Sequence, residues 1–426
     1  MPELPFDDRR GRQDADRGLI GSLVPLPTSR SGRQQNRCAL AILVCVALLT
    51  ACSSTGSGSA SPDRRRPNRA RPTTSTAARR PTTSTTAIPG RPGHVFVVML
   101  ENEDAGSTFS ASSPATYLTK TLAAQGQVLP QYFGIGHASL DNYIAQISGQ
   151  APNPSTQADC TTYADFVPTG PVGAYGQVPG HGCVYPASVL TIADQLDAKG
   201  LTWRAYEEDM GNTPPESTTC AHPAIGAPDP TLRARPGDQY ATRHDPFVYF
   251  HSIIDGPACT AGVVRLGQLD TDLASVATTR NLTYITPNLC HDGHDAPCVD
   301  GEAGGLESVN QFLQSRVPKI LASPAFAQDG MLVVTFDEAE THDTTACCNT
   351  PPLPNASKPG GAGPGGGRVG AVIVSRFVRA GSVNDTAYNH YSLLCSLEET
   401  WGLAKLGFAG APGTPCFGPD VYNARP

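Results

Sequence analysis

A chain of 426 residues carrying a formal charge of −7 distributes that charge unevenly: from Gly93 onward 16 Lys/Arg face 32 Asp/Glu, a net of −16, whereas Cys52–Pro92 holds eight Arg against Asp63. A surface that acidic repels phosphodiester backbones, which excludes nucleic acid as a partner. Residues 53–92 are almost entirely Ser, Thr, Pro, Gly, Ala and Arg, with one Ile and no aromatic; they cannot bury enough apolar surface to offset ordering, so they read as a linker ahead of one domain, 93–426.

In chain order, the first feature is Ala39–Ala51, a 13-residue apolar run preceded by Arg30, Arg33 and Arg37. It is too short for a bilayer span of about 20 residues and has the size of a signal-peptide core, so residues 1–51 are expected to be a leader. The 29 residues ahead of Arg30 exceed what a leader needs and leave room for a start downstream of Met1. Leu49-Thr50-Ala51-Cys52 resembles a bacterial lipobox, which implies lipidation at Cys52, anchorage to the outside of the cell membrane, and residues 52–92 as a lipidated tether. Its arginines suit anionic headgroups, and equally a solvated spacer. Beyond it lie ten cysteines with no C-x-x-C pair, the pattern of disulfides in an oxidising compartment rather than of a zinc site. Proximity suggests Cys160–Cys183, Cys290–Cys298 and Cys395–Cys416; adjacent Cys347 and Cys348 are expected to find different partners or to stay partly reduced.

Five apolar runs have strand composition: His94–Leu100, Leu201–Tyr206, Leu282–Thr286, Met331–Phe336 and Arg368–Val374. Between them, Ser113-Pro114 reads as the cap and first residue of a helix reaching Gly126, and Ser188–Lys199, Ser308–Leu321 and His390–Leu403 show helical spacing. Strands of this kind alternating with helices predict an α/β fold with a mostly parallel sheet covered on both faces. Four strands run into carboxylates: Glu101-Asn102, Glu207-Glu208-Asp209, Asp292 with Asp295, and Asp337-Glu338. The carboxyl ends of such strands form the ligand crevice. Carboxylates gathered there raise one another's pKa unless a cation neutralises them, so one divalent metal is expected, with Ca²⁺, Mg²⁺ or Mn²⁺ favoured by oxygen ligands from Glu101, Asn102, Asp337 and Glu338.

A second constellation is Gly136-His137-Ala138-Ser139-Leu140-Asp141-Asn142-Tyr143. Ser139 stands where a loop turns into a helix, which places its hydroxyl in the positive end of a helix dipole beside free backbone N–H groups. It is either a helix cap or a nucleophile whose alkoxide a metal would stabilise. His244, His294 and His137 are candidates to stabilise transferring oxygens or protonate a leaving group; His390 opens a helix and reads as structural.

The ordered set LENED, GHASLDNY, WRAYEED, ATRHDPFVYF, ITPNLCHDGHD, VVTFDEAE and NHYSLLCSLEETWGL resembles the phosphoesterase family of bacterial acid phosphatases and phospholipases C, within the alkaline-phosphatase superfamily. The likeness extends from about Gly93 to Phe408 and is greatest to secreted acid phosphatases of the phosphatidylinositol-3-phosphatase type. The resemblance implies a three-layer α/β/α sandwich and transfer through a phosphoserine. It puts Ser139 at the nucleophile, with His137 and Asn142 beside it, Glu101, Asn102, Asp337 and Glu338 at the metal, and His244, Asp292, His294 and Asp295 around the substrate. Ala138 and Asp141 stand where that family usually has prolines, and the Pro/Gly-rich insertion Asn349–Gly367 is unusual. The expected activity is hydrolysis of phosphate monoesters, from small molecules or phospholipids, outside the membrane; the alternatives are a phospholipase C or other phosphodiesterase, and a lipoprotein that binds phosphate without turnover.

Overall fold

The computed structural model describes residues Gly90–Ala424; the leader, Cys52 and the linker to residue 89 lie outside the described residues. Its centre is an eight-stranded sheet formed by β1 (His94–Leu100), β2 (Gln127–Leu129), β3 (Trp203–Glu207), β4 (Val263–Arg265), β5 (Leu282–Thr286), β6 (Gly330–Phe336), β7 (Ala371–Ser375) and β8 (Ser382–Val383). Their order across the sheet is β8-β2-β7-β6-β1-β5-β3-β4. All neighbours run parallel except β7, which is antiparallel to both β6 and β2. The longest strands, β1 and β6, are buried at every position, which is why both read as unbroken apolar runs rather than as an alternation.

Side-chain parity shows the layering. On β1, Phe96 packs its ring 6.0 Å from Phe326 of α4 (Pro324–Asp329), while Met99 accepts a hydrogen bond at 3.1 Å from Gln146 of α1 (Ser139–Ser148). Residues 96 and 99 differ by an odd number and point to opposite faces, so helices cover both sides and the sandwich has three layers. On the α1 side, α5 (His390–Trp401) lies against α1; on the other, α3 (Gly305–Leu321) packs on α4 and on a turn of π-helix at Tyr117–Leu122.

The expected elements shift at their ends. The helix predicted from Ser113-Pro114 starts only at Tyr117; Pro114 precedes it in a turn, where Ser113 Oγ accepts the Ala115 N–H. The Ser188–Lys199 stretch contracts to α2 (Ile192–Ala198), because Thr191 and Asp194 close a capping box there. Strands β2 and β4, three residues each, are too short to have left a periodic signal.

Disulfides join Cys160–Cys183, Cys220–Cys259, Cys290–Cys298 and Cys395–Cys416. The remaining two cysteines correct an expectation. Cys347 and Cys348 pair with each other, since a turn with both Cys348 and Asn349 at positive φ brings neighbouring side chains to one side. Among the described residues no helix is long and apolar enough to cross a membrane.

Candidate functional site

Because β3, β5, β1 and β6 are parallel neighbours, their carboxyl ends share one edge of the sheet. β1 delivers Glu101 to the middle of it and β6 delivers Asp337, both wholly buried. The chain turns sharply after Glu101: Asn102 adopts φ +60, which Asn tolerates, and its N–H donates to Asp337 Oδ1 at 3.0 Å. One backbone donor thus ties the two carboxylate-bearing strand ends together.

Across the gap stands the amino end of α1. Ala138 is the extended cap residue, so Ser139 is the first residue inside the helix and not its cap. Its hydroxyl, 4% exposed, donates to Glu101 Oε2 at 2.8 Å instead of closing on the helix backbone. Asn142, one turn later, has no free valence left for a ligand. Its carbonyl accepts from the N–H groups of Ile135 and Gly136, and its amide donates to the oxygens of Gly136 and Ala138 and to Glu338 Oε2. It shapes the loop ahead of Ser139. Asp141 is buried as well, accepts the Thr156 hydroxyl, and is pushed well above the usual carboxylate range by that burial.

The third wall comes from the segments at 242–245 and 288–295. His244 Nδ1 donates to Asp292 Oδ2 at 3.1 Å, leaving a bare Nε2 lone pair 3.5 Å from Glu101 Oε1. Its ring stacks on Tyr143 at 5.3 Å with planes 3° apart. Burial, reinforced by Arg243 and His294, holds the imidazole well below its ordinary pKa, so it is neutral. His294 sits between two groups: Nδ1 donates to Asp295 Oδ1 at 2.8 Å, and Nε2 accepts from Arg243 at 3.0 Å. Both ring nitrogens are engaged, and the group the pair presents is the guanidinium. Arg243 is 3% exposed with a second nitrogen left without a partner. Nothing in the sequence marked Arg243 beyond its place before His244, because long cations usually lie at the surface. Asp159 was missed too; it reaches the amino end of α1 from a loop that shows no motif.

His137 lies on the far side of Glu338. Nε2 donates to the Asp343 carbonyl at 2.8 Å, and bare Nδ1 faces Glu338 Oε1 at 3.7 Å. His390, expected to be structural, is fully buried under the site: Nε2 donates to the Asp337 carbonyl at 2.6 Å and Nδ1 accepts from Gln146 and Tyr132. That burial pushes it down to about 4. The second carboxylate run, Glu207-Glu208-Asp209, has its partners elsewhere than Ser139. Glu207 accepts from Thr286, Glu208 pairs with His291, and Asp209 accepts from Asn288; together they support the loop that carries Asp292.

The electrostatics bear on a cation. Burial, then Asp337 and Asp292, push Glu101 well above the ordinary carboxylate range; burial does the same to Asp292 and Glu338, and takes Asp337 up to about 7. Among the described residues, the buried atoms that lack hydrogen-bond partners include Glu101 Oε1, His244 Nε2 and Asp337 Oδ2. Ligand atoms of Glu101, His244 and Asp292 lie within 4.8 Å of one another. Bare lone pairs converging in a dry place fit a divalent metal. His244 and Asp292 stand with Glu101; of the other expected ligands, Glu338 accepts from Asn142 through Oε2, and Asn102 is joined to Asp337 by its backbone N–H.

The model of the phosphoesterase family matches residues 107–404 of this chain. The phosphate-repressible acid phosphatase of Penicillium chrysogenum is 27% identical over 313 residues, covering 73% of this chain and 59% of that protein. The phosphatidylinositol-3-phosphatase of Mycobacterium tuberculosis is 25% identical over 316 residues, covering 74% of this chain and 79% of that one. The chain thus spans less than two thirds of the fungal relatives it matches. Among solved structures, a protein in the alkaline phosphatase superfamily from Vibrio parahaemolyticus aligns over 74% of this chain and 68% of its own, with a TM-score of 0.41 and 13% identity.

Proposed function

This chain belongs to the phosphoesterase family, and on that premise we propose that it is an exported phosphomonoesterase that transfers a phosphoryl group to Ser139 and then to water. The observation that carries the proposal is the contact of the Ser139 hydroxyl with Glu101 Oε2 at 2.8 Å, at the mouth of a helix and beside the unpartnered buried atoms of Glu101, His244 and Asp337. Glu101, His244, Asp292 and Asp337 would hold one divalent metal, which supplies charge to lower the serine pKa and neutralise the phosphoryl oxygens. A nitrogen among the ligands widens the choice to include metals softer than Ca²⁺.

The protein groups have separable tasks. Glu101 Oε2 receives the Ser139 hydrogen bond and aims the oxygen for in-line attack. Arg243, held by His294 and Asp295, directs its free nitrogen toward equatorial phosphoryl charge. Asp292 keeps the proton of His244 on Nδ1 and so leaves Nε2 available as a ligand. His137, whose bare Nδ1 faces Glu338, is the candidate to take up a proton and pass it to the leaving oxygen. Lipid phosphates are in scope because the mycobacterial relative is named for one, and anchorage through Cys52 would keep the domain at a membrane. A phosphodiesterase needs room for a second ester group, and no observation favours it.

The test is hydrolysis of p-nitrophenyl phosphate and of its bis ester by the exported protein, with and without chelator, beside Ser139→Ala. Monoester turnover that chelation abolishes, and that the substitution lowers by at least about 10³-fold, is expected. Turnover of the diester alone, or full activity in Ser139→Ala, would sink the reading.

A further inference from the structure

At the amino end of α1, the backbone N–H of Leu140 is already taken. It donates at 3.1 Å to Asp159 Oδ1, a carboxylate that reaches in from the loop beyond Thr156. Leu140 directly follows Ser139, so this N–H is one of the helix-end donors that a phosphoryl oxygen on Ser139 would use. A protein anion therefore occupies a seat suited to the substrate's anion. The backbone holds it there: Asp159 and Cys160 both adopt positive φ, at +48 and +50, and Cys160 is bonded to Cys183. The charged groups facing Asp159 are Arg243 and His294 from the opposite wall, with Asp141, Asp229, Asp337 and Glu338 as further acids.

Resting on the phosphomonoesterase reading, we propose that Asp159 is a specificity-determining residue that admits a phosphate only together with one proton. When ionised, the Asp159 carboxylate holds the Leu140 N–H and repels the phosphate. When neutral, it yields that donor and leaves the helix end and Arg243 to the incoming oxygens. Its burial outweighs the nearby Arg243 and raises its pKa above the ordinary aspartate value. This adds a proton requirement distinct from that of the phosphate itself.

Asp159→Asn separates this role from helix capping, because the neutral amide oxygen can accept the Leu140 N–H while the site is empty, yet carries no charge to repel a phosphate that competes for it. The metal-replete protein is expected to show kcat/KM falling on the alkaline side. Asp159→Asn should lose that fall, with a gain of roughly tenfold near pH 7.5, little change at pH 5, and most of the difference in KM. Inorganic phosphate, measured as a competitive inhibitor and by calorimetry, should bind Asp159→Asn roughly tenfold more tightly than wild type at pH 7.5, with one proton fewer taken up. A variant whose pH profile and phosphate affinity overlay the wild type, with only Asp159→Ala losing thermal stability, makes Asp159 a cap and overturns the proposal. Should the wild type turn over no monoester at all, the functional reading fails separately, and the calorimetric comparison with phosphate still decides the role of Asp159.

Discussion

His244 is neutral and directional because of one partner. Asp292 takes its Nδ1 proton, and stacking on Tyr143 sets the plane of the ring. Asp292→Asn would offer an amide that can favour the other tautomer, turning an N–H toward Glu101 Oε1 in place of a lone pair. The expected outcome is a 10- to 100-fold loss of metal affinity, read from the metal concentration that half-restores activity after chelation. Unchanged metal dependence would place the cation away from both Asp292 and His244. Arg243 is a second test at this scale. Arg243→Lys keeps the charge but loses the fork that His294 orients, and a rise of about tenfold or more in KM, measured on a monoester at fixed pH, is expected.

At the level of elements, the loop carrying His137 is clamped from outside by the segment that follows β6, the insertion 349–367 together with Asp343. Gly134 N–H donates to Gly367 O, Gly366 N–H to Gly134 O, His137 N–H to Pro359 O, and the His137 ring to Asp343 O. Gly366 is required there, since a Cβ at that position would run into the carbonyl of Gly136. The insertion thus has one side built into the site. Replacing residues 349–364 with a short Gly/Ser linker should lower kcat about tenfold or more while leaving diffraction or circular dichroism of the sheet unchanged; equal kcat would show that α1 and Asn142 position the loop by themselves. On the opposite side α5 presses His390 under Asp337. Its neutral ring, wedged between Gln146 and Tyr132, makes the position of the Asp337 main chain depend on buried hydrogen bonds rather than on strand pairing alone.

Two properties belong to the whole molecule. Burial pushes Asp337 up to about 7 and Asp245, beside Glu207, up to about 8. Carboxylates whose folded pKa exceeds the unfolded value near 4 bind more protons when folded, so their contribution to stability is complete at low pH and fades as pH rises through 7 to 8. Chelated protein should therefore melt at a higher temperature at pH 5 than at pH 8, and added metal should raise Tm more at pH 8. A chelated Tm that climbs across this range would contradict the burial of these acids. The second property is covalent. Four disulfides close loops 8 to 39 residues apart in sequence, each worth about 2–4 kcal/mol. They staple the segments around the sheet, and reduction should lower Tm by on the order of 10 °C in a thermal melt.

Strand composition, the carboxylates that follow the strands and the GHASLDNY stretch were legible because each is a local pattern: burial on two faces demands unbroken apolar runs, and charge at a strand end is conspicuous beside them. From those alone came the α/β class and the placement of Glu101 and Asp337 on one edge, while Ser139 joined them through the family resemblance. Which side chains share an atom-scale contact depends instead on how distant segments approach. Only the fold set His244 and Asp292 beside Glu101, spent Asn142 on its own loop, drew Glu207–Asp209 away to support a neighbour, and buried Arg243 and Asp159 next to Ser139. Residue type and spacing state what chemistry a side chain can do; hydrogen-bond partners and burial decide which part of that chemistry is left free, and both are properties of packing across long sequence separations.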